Sequence, residues 1–410
     1  MALTLTSAYI ANADHVPAGN PIIFTFESDD GQVRAMELTV KKGATEIATL
    51  RKQPDIGETD IFTFDLSDVI QDNLSFVIPS TSMTTQEESN GYGSFTFEGK
   101  ELLENASTGL IEDGASLGAG DIRTFFAHNS LLQHPSLQAT REDDLSNYVL
   151  DSAPNTTGKF LTAAPLGVVP AYRYYKASTT DEIYLSFIGD MDQITKVTAN
   201  TVDASGSTIN QFNITFAQAG YDRSVFRAGY ARWAGLHAQF AVDMTSGGGV
   251  RYDMFLSNAG SQQMSEFLTV HIVSDCSRKA TRLQWINDLG GLDAWTFYGN
   301  PIYTHQVSGS AYEKLADAPQ STINTYDGGA TVMVKTAREQ IKTVSFKVTA
   351  NEVRFFESLL RSPQVYLEDS GTFRAVTLGN KTLKVEDYTK NVYRLSFTID
   401  QSNVFKGLRN

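Results

Sequence analysis

The chain is almost without cysteine. Among its 410 residues only Cys276 carries a thiol, which excludes an intrachain disulfide framework and any site built from several thiolates. No apolar run approaches the ~20 residues that cross a bilayer as a helix. The first residues lack the basic start and long apolar core of a secretory signal. The expectation is a soluble protein made in the cytoplasm and not exported by the usual route. The Asn-x-Ser/Thr triplets at Asn73, Asn105, Asn155, Asn213 and Asn380 then read as turn sequences.

Positive charge is scarce as well. There are 33 Lys/Arg against 47 Asp/Glu, a net charge of −14, which opposes a general nucleic-acid binder. The imbalance is uneven. Residues 306–410 hold 14 Lys/Arg and 11 Asp/Glu, a balance of +3, so the preceding 305 residues hold 19 and 36, a balance of −17. Either this is ordinary solubilising charge, or an acidic body with a mildly basic end favours head-to-tail contacts between copies.

Motifs of chemistry are missing too. The six histidines, His15, His128, His134, His237, His271 and His305, form no His-Glu-x-x-His pair, and neither an EF-hand loop nor a P-loop or dinucleotide fingerprint is present. Asp190-Met-Asp192 and Arg141-Glu-Asp-Asp144 read as solvated loops. Cys276 stands between Asp275 and the pair Arg278/Lys279, charges able to lower its pKa, but a lone thiol at a strand end is ordinarily structural. No pair of carboxylates is singled out for sugar hydrolysis. No catalytic, cofactor-binding or metal-binding residue is therefore expected.

What is present is β-pattern. Thr, Ser, Gly and aromatics are prominent, and 11% of residues are aromatic. Residues 1–80 alternate apolar and polar with period two in Ile22–Phe26, Ala35–Val40, Glu46–Leu50 and Ile61–Phe64, separated by Ser28-Asp-Asp-Gly31, Lys42-Gly43 and Pro54-Asp-Ile-Gly57. Asp65 is placed to accept from the backbone of a following helical turn. Residues 81–120 are Ser-, Thr-, Glu- and Gly-rich, with strand-like Gly93-Ser-Phe-Thr-Phe97 among them, and read as an arm or extended loop. Residues 121–305 form a second β-rich region, with 282–289 as a short helix or turn. Residues 306–410 combine a clear helix, Ala350–Leu360, ended by Ser362-Pro363, with alternating strands that include 381–385. The expected fold is mainly β: two antiparallel β-sandwich-like domains in series, then a small α+β domain.

Two features stand out within that frame. Trp285 and Trp295, two of the three tryptophans, flank Gly290-Gly291, and aromatic bulk with tight backbone and no nucleophile–base pair reads as a structural corner. Tyr172, Tyr174 and Trp233 are candidates for a protein interface or a glycan contact, if they are exposed.

Four stretches carry a resemblance. They are Asn20-Pro-Ile-Ile-Phe24 with Leu50-Arg-Lys-Gln-Pro54 and Phe64-Asp-Leu-Ser-Asp68; Lys159-Phe-Leu-Thr-Ala-Ala-Pro165 with Tyr184-Leu-Ser-Phe187; Leu283–Phe297 after Cys276; and Leu359-Leu-Arg-Ser-Pro-Gln-Val-Tyr366. In this order they resemble uncharacterised tail- or baseplate-type structural proteins of tailed phages and prophages of Bacteroidetes-type bacteria. The chain departs from that pattern in the Ala-Trp after Gly-Gly-x-Asp and in the arm at 81–120. The resemblance implies a non-enzymatic virion protein, made in the bacterial host cytoplasm. Its partners would be other copies of itself and other tail proteins, with no nucleic acid and no membrane insertion. The arm and residues 146–175 would be the intersubunit contacts. The alternative is a receptor- or glycan-binding module on the particle surface, meeting a host glycan; a polysaccharide hydrolase is a third.

Overall fold

The computed structural model describes residues 2–8, 10–11, 13–76, 78, 85–87, 90–132, 145, 148–150, 154, 156–168, 170–177, 181, 183–189, 193–215, 227–232, 248–272, 280–299, 301–313, 330–344, 348–369, 372–379, 393 and 395–406. The protein is mainly β, with two α-helices among these residues. It divides into two compact units, one made of residues 1–175, 179–272 and 287–293, the other of 176–178, 273–286 and 294–410. These limits differ from the boundaries expected after residues 80, 120 and 305.

The first unit begins with two sheets that share one core. Leu3–Ala8, Ile23–Ser28 and Ile61–Asp65 form a three-stranded antiparallel sheet. Thr45–Lys52, Val33–Lys42, Tyr92–Glu104, Thr124–His128 and His15–Pro17 follow one another in a larger sheet, with Ile111–Ser116 also paired to Tyr92–Glu104. The inward residues of both interdigitate. Phe24 meets Phe97 at 4.6 Å between ring centres and Phe26 meets Phe97 at 5.6 Å, and all three rings are fully buried with Phe62, Phe95 and Phe125. This is the layering of a β-sandwich. At its end, one oxygen of the Asp65 carboxylate accepts from the Ile22 and Ser67 backbone N–H groups, both at 3.0 Å, as the helix Ser67–Asp72 begins.

The stretch expected to be an arm is the main correction. Tyr92–Glu104 is a 13-residue strand in the interior of the larger sheet, and Thr85–Glu87 pairs with Arg227–Arg232. The reason it hid is visible in its inward positions, which read Gly93, Phe95, Phe97, Gly99, Glu101. At Gly99 a Cβ would stand 2.6 Å from Met36 Cε and 2.8 Å from Leu117 Cδ1, so a side chain is excluded where the pattern calls for one. Glu101 is fully buried and accepts from Ser28 Oγ at 2.5 Å and the Ala115 N–H at 3.0 Å.

The first unit holds two further sheets. One runs Val149–Leu150, Tyr184–Gly189, Arg227–Arg232, Thr85–Glu87; the other runs Arg173–Ala177, Leu268–Ile272, Gly249–Ser257, Lys196–Asp203, Thr208–Thr215. Tyr184–Gly189 is buried on both faces, as a central strand requires.

The second unit is a seven-stranded sheet with one helix. The order is Leu292–Tyr298, Ala280–Ile286, Val365–Asp369, Thr372–Leu378, Ser396–Lys406, Ala330–Val344, Ile302–Glu313. The expected short helix or turn at 282–289 is instead the strand Ala280–Ile286. Its Leu283 and Trp285 alternate with Arg282 and Gln284, and both sets are buried, because Glu368 accepts from Arg282 Nε at 2.8 Å and also from Gln284. The helix Ala350–Arg361 starts with a reciprocal cap: Thr349 Oγ1 accepts from the Glu352 N–H, and the Glu352 carboxylate accepts from the Thr349 N–H at 2.8 Å. Its apolar face, Val353, Phe356 and Leu359, is buried. The strand expected at 381–385 lies outside the described residues.

Candidate functional site

The Gly-Gly corner is built from buried polar groups of the first unit. Asn287 has every amide atom occupied: Nδ2 donates to Leu161 O at 2.9 Å and to Asp293 Oδ2 at 2.8 Å, while Oδ1 accepts from the Leu289 and Gly291 N–H groups. Asp293, fully buried, also takes the Ala163 N–H on Oδ2 at 3.0 Å. Its Oδ1 lies 2.5 Å from Thr162 Oγ1 and 2.5 Å from the Tyr175 hydroxyl, which are themselves 2.7 Å apart. Two hydroxyl protons serve two of these three contacts; a hydrogen bond in the third would need a proton on Asp293. Burial acts in the same direction, raising the Asp293 carboxyl against the pull of its donors. Burial and the Asp293 charge push the Tyr175 phenol well up.

The two glycines make this approach possible. A Cβ on Gly291 would lie 1.8 Å from Leu161 O. Gly290 has φ +76°, and a Cβ there would lie 2.2 Å from Asn129 O and 2.5 Å from His128 Cε1. His128 is buried beneath it, and its Nδ1 has no hydrogen-bond partner among the described residues. Burial, with the nearby His15, lowers the His128 pKa to about 4. His15 stacks on Phe126 at 5.0 Å and on Tyr92 at 6.0 Å.

The tryptophans of the corner are placed in the second unit. Trp285 is fully buried, donates from Nε1 to Ser358 Oγ at 2.9 Å, and lies 5.0 Å from Phe355. Trp295, also buried, meets Phe356 edge-on at 5.4 Å, with Lys176 Nζ 5.8 Å from its ring centre. Lys176 in turn pairs with the buried Glu352. The sequence joins Trp285, Gly290, Gly291 and Trp295 in one stretch; the structure uses the glycines and the tryptophans in different units.

The aromatic trio fares differently. Tyr172 and Tyr174 are half-buried, with Phe267 5.0 Å from the first ring and His271 5.5 Å from the second. Trp233 lies outside the described residues, as do Cys276, Asp190-Met-Asp192 and Arg141-Glu-Asp-Asp144.

A surface groove of about 360 Å³ in the first unit is lined by Glu37, Glu98, Lys100 and Ser116 among others. Ser116 belongs to a Gly114-Ala-Ser-Leu-Gly118 stretch, whose nucleophile-elbow spacing corrects the expectation that the sequence holds no Gly-x-Ser-x-Gly. It ends the strand Ile111–Ser116, and the chain runs on into a turn rather than a helix, so the strand–turn–helix context that exposes such a serine is missing. Glu37 is held ionised: hydrogen bonds from Arg51 and Lys100 lower its pKa, the opposite of a general acid. Among the described residues no group of His, Cys, Asp and Glu is placed to hold a metal ion, and no helix is long and apolar enough to cross a membrane.

The conspicuous exposed feature is a ribbon. Ile302–Glu313 pairs with Ala330–Val344 over 12 register positions and is the last strand of its sheet. From Ile302 to Ser310 both faces of that strand are exposed, and Ile302, Tyr303 and Val307 stand 56%, 54% and 61% exposed.

No family model matches the chain, and no curated protein sequence matches it. Solved structures with some similarity include fibronectin(III)-like modules of Clostridium thermocellum CbhA (8% identity, 66% of this chain and 93% of that one, TM-score 0.16). CBD12 from CALX1.2 matches at 8% identity over 67% of this chain and 100% of that one, with TM-score 0.20. The plexin A4 extracellular region matches at 5% identity over 80% of this chain and 34% of that one, with TM-score 0.16. Likenesses of this size carry no argument about fold or activity.

Proposed function

We propose that this chain is a non-enzymatic structural protein that works by assembling with further copies of itself and with neighbouring proteins. The particle we assign it to is a tailed phage, in the tail or baseplate, as the sequence resemblance implies; the chain would be made in the host cytoplasm and end in the virion. In this reading the two β-regions of residues 1–305 act as sandwiches in series and residues 306–410 as a compact α+β end.

The observation that carries the reading is the ribbon Ile302–Glu313/Ala330–Val344. Ile302–Glu313 is the outer strand of the seven-stranded sheet and is open to water on both faces from Ile302 to Ser310, and an uncharged edge strand is a template for pairing. Residues 302–312 contain no Lys, Arg, Asp, Glu or Pro, the residues that ordinarily blunt such an edge. The buried carboxylates, by contrast, are engaged in the fold: Asp293, Glu101, Glu352 and Glu368 each serve neighbouring donors.

The test is localisation. Antibody raised against the purified chain, gold-labelled and applied to phage particles from an induced host culture, should decorate the tail or its base at regular positions. Particles that remain undecorated, with the chain recovered only from the soluble host fraction, would reject the assignment to the virion.

A further inference from the structure

The structural division sharpens the charge asymmetry. The second unit holds 18 Lys/Arg and 12 Asp/Glu, a net +6, which leaves 15 and 35 in the first unit, a net −20. Each chain therefore has two units of opposite net sign, and each unit offers one exposed surface of matching character.

One is the ribbon. Directly paired residues of an antiparallel ladder share a face. Ile302 pairs with Lys342, Thr304 with Gln340, Gln306 with Arg338 and Ser308 with Thr336. Gln340 Nε2 donates to Gln306 Oε1 at 3.1 Å, and the Ser308 and Thr336 hydroxyls meet at 2.7 Å. This face carries two exposed cations, Arg338 and Lys342, beside an exposed Ile302; the half-buried Asp400 of the next strand stands opposite Gln340 on the same face.

The other is one end of the first sandwich. The loops at 29–32, 53–60 and 104–113 converge there. The Glu104 N–H donates to Gln32 O, Arg34 pairs with Glu104, and Gly31, Val33, Arg34 and residues 53–59 line one depression. The three loops carry eight carboxylates and neither Lys nor Arg; Asp55, Glu104 and Asp113 are paired with Lys52, Arg34 and Lys100 of the flanking strands, which leaves an acidic excess of five. Ile56 projects fully into solvent at a loop tip, and Leu110 and Ile111 are more than half exposed. An apolar centre with a charged rim is the make-up of a protein interface.

We propose that the Arg338/Lys342 face of the ribbon docks on the Ile56/Leu110/Ile111 loop end of a second copy of this chain. The signs match, the apolar residues on each side are otherwise left in water, and both surfaces occur on every chain. The contact is heterologous, so it propagates into a ring or an open row. This inference rests on the assembly reading above and names the surfaces that perform it.

Sedimentation velocity of the full chain, over a range of concentration and salt, tests it with R338E/K342E and E58K/E112K. The wild type should self-associate, less so in high salt, because exposed charges are screened beyond about 10 Å. Each variant alone should associate on the order of tenfold more weakly. An equimolar mixture of the two should regain association, since each then offers the complement the other needs. I56S should weaken association in the wild-type charge background, and unchanged thermal unfolding verifies that each variant is folded. A wild type that associates while the variants associate equally well overturns these surfaces and leaves the assembly reading standing. Loss in both variants without recovery on mixing overturns their pairing. A wild type that stays monomeric throughout overturns both.

Discussion

At the residue scale the governing feature is how tightly the backbone of the Gly-Gly corner approaches its neighbours. Gly291→Ala pushes a Cβ into a main-chain carbonyl that cannot move aside, and we expect a loss of about 3 kcal/mol or more, read by denaturant unfolding. Asp293 separates two protonation states. If its carboxyl holds a proton, an asparagine side chain in its place reproduces the donor on one side and the acceptor on the other, so Asp293→Asn should cost about 1 kcal/mol or less. Asp293→Ala leaves the Ala163 and Asn287 donors unpaired and should cost about 3 kcal/mol or more. Equal losses in the two variants would show an ionised carboxylate. None of this was legible beforehand. Gly290-Gly291 marked a tight turn, but Asp293, Thr162 and Tyr175 are far apart in the chain and gain meaning only from burial.

His128 and Asp293 give opposite pH dependences. The folded-state pKa of His128 is about 4, below its ordinary value of about 6.5. As pH falls through 6.5 the unfolded chain takes up a proton that the folded chain refuses, so stability declines between about pH 6.5 and pH 4, by roughly 3 kcal/mol at most. The Asp293 pKa is raised, so its contribution is fully present below the unfolded carboxyl value and is lost as pH rises through the folded one. His128→Gln should flatten the acid limb and Asp293→Asn the other. Unfolding midpoints of wild type and both variants between pH 4 and pH 8 measure the two effects separately.

At the element scale, period and capping decided what could be read. The helix Ala350–Arg361 was legible because its apolar residues recur at helical spacing and Ser362-Pro363 ends it. Four strands of residues 1–80 were legible because they alternate cleanly, whereas Leu3–Ala8 and the three-residue His15–Pro17 were not read. Tyr92–Glu104 was legible only over Gly93–Phe97, because beyond it Gly99 and Glu101 occupy inward positions where alternation requires apolar bulk. Ala280–Ile286 was misread because both of its faces are buried, one of them around Arg282, Gln284 and Glu368. Trp295→Ala empties a fully packed site against Phe355 and Phe356 and should destabilise by roughly 3–5 kcal/mol; a melting temperature close to that of the wild type would contradict the packing described. Tyr172 and Tyr174 show the limit of reading aromatics from sequence. A tyrosine-rich stretch does not reveal that Phe267 and His271 already occupy the rings' neighbourhood.

At the scale of the whole molecule, the sign of the charge asymmetry was legible but its size was not. A cut at residue 306 assigns +3 to the basic end, whereas the compact second unit also gathers Arg278, Lys279, Arg282 and Lys176 and reaches +6. Such a division disfavours side-by-side packing of two first units, each at −20, and favours contact of unlike units. The mainly β architecture spends its buried carboxylates on holding strands and turns together and leaves an uncharged edge strand and several apolar loop tips in water. On the assembly reading proposed above, those exposed surfaces are where the contacts between copies would form.

The most direct test is the molar mass of the purified full chain, measured by multi-angle light scattering from micromolar to hundred-micromolar concentration at low ionic strength. We expect the mass to rise with concentration to multiples of 45.0 kDa and to fall again on adding salt. A constant 45.0 kDa across the whole range would contradict assembly as the function of this chain.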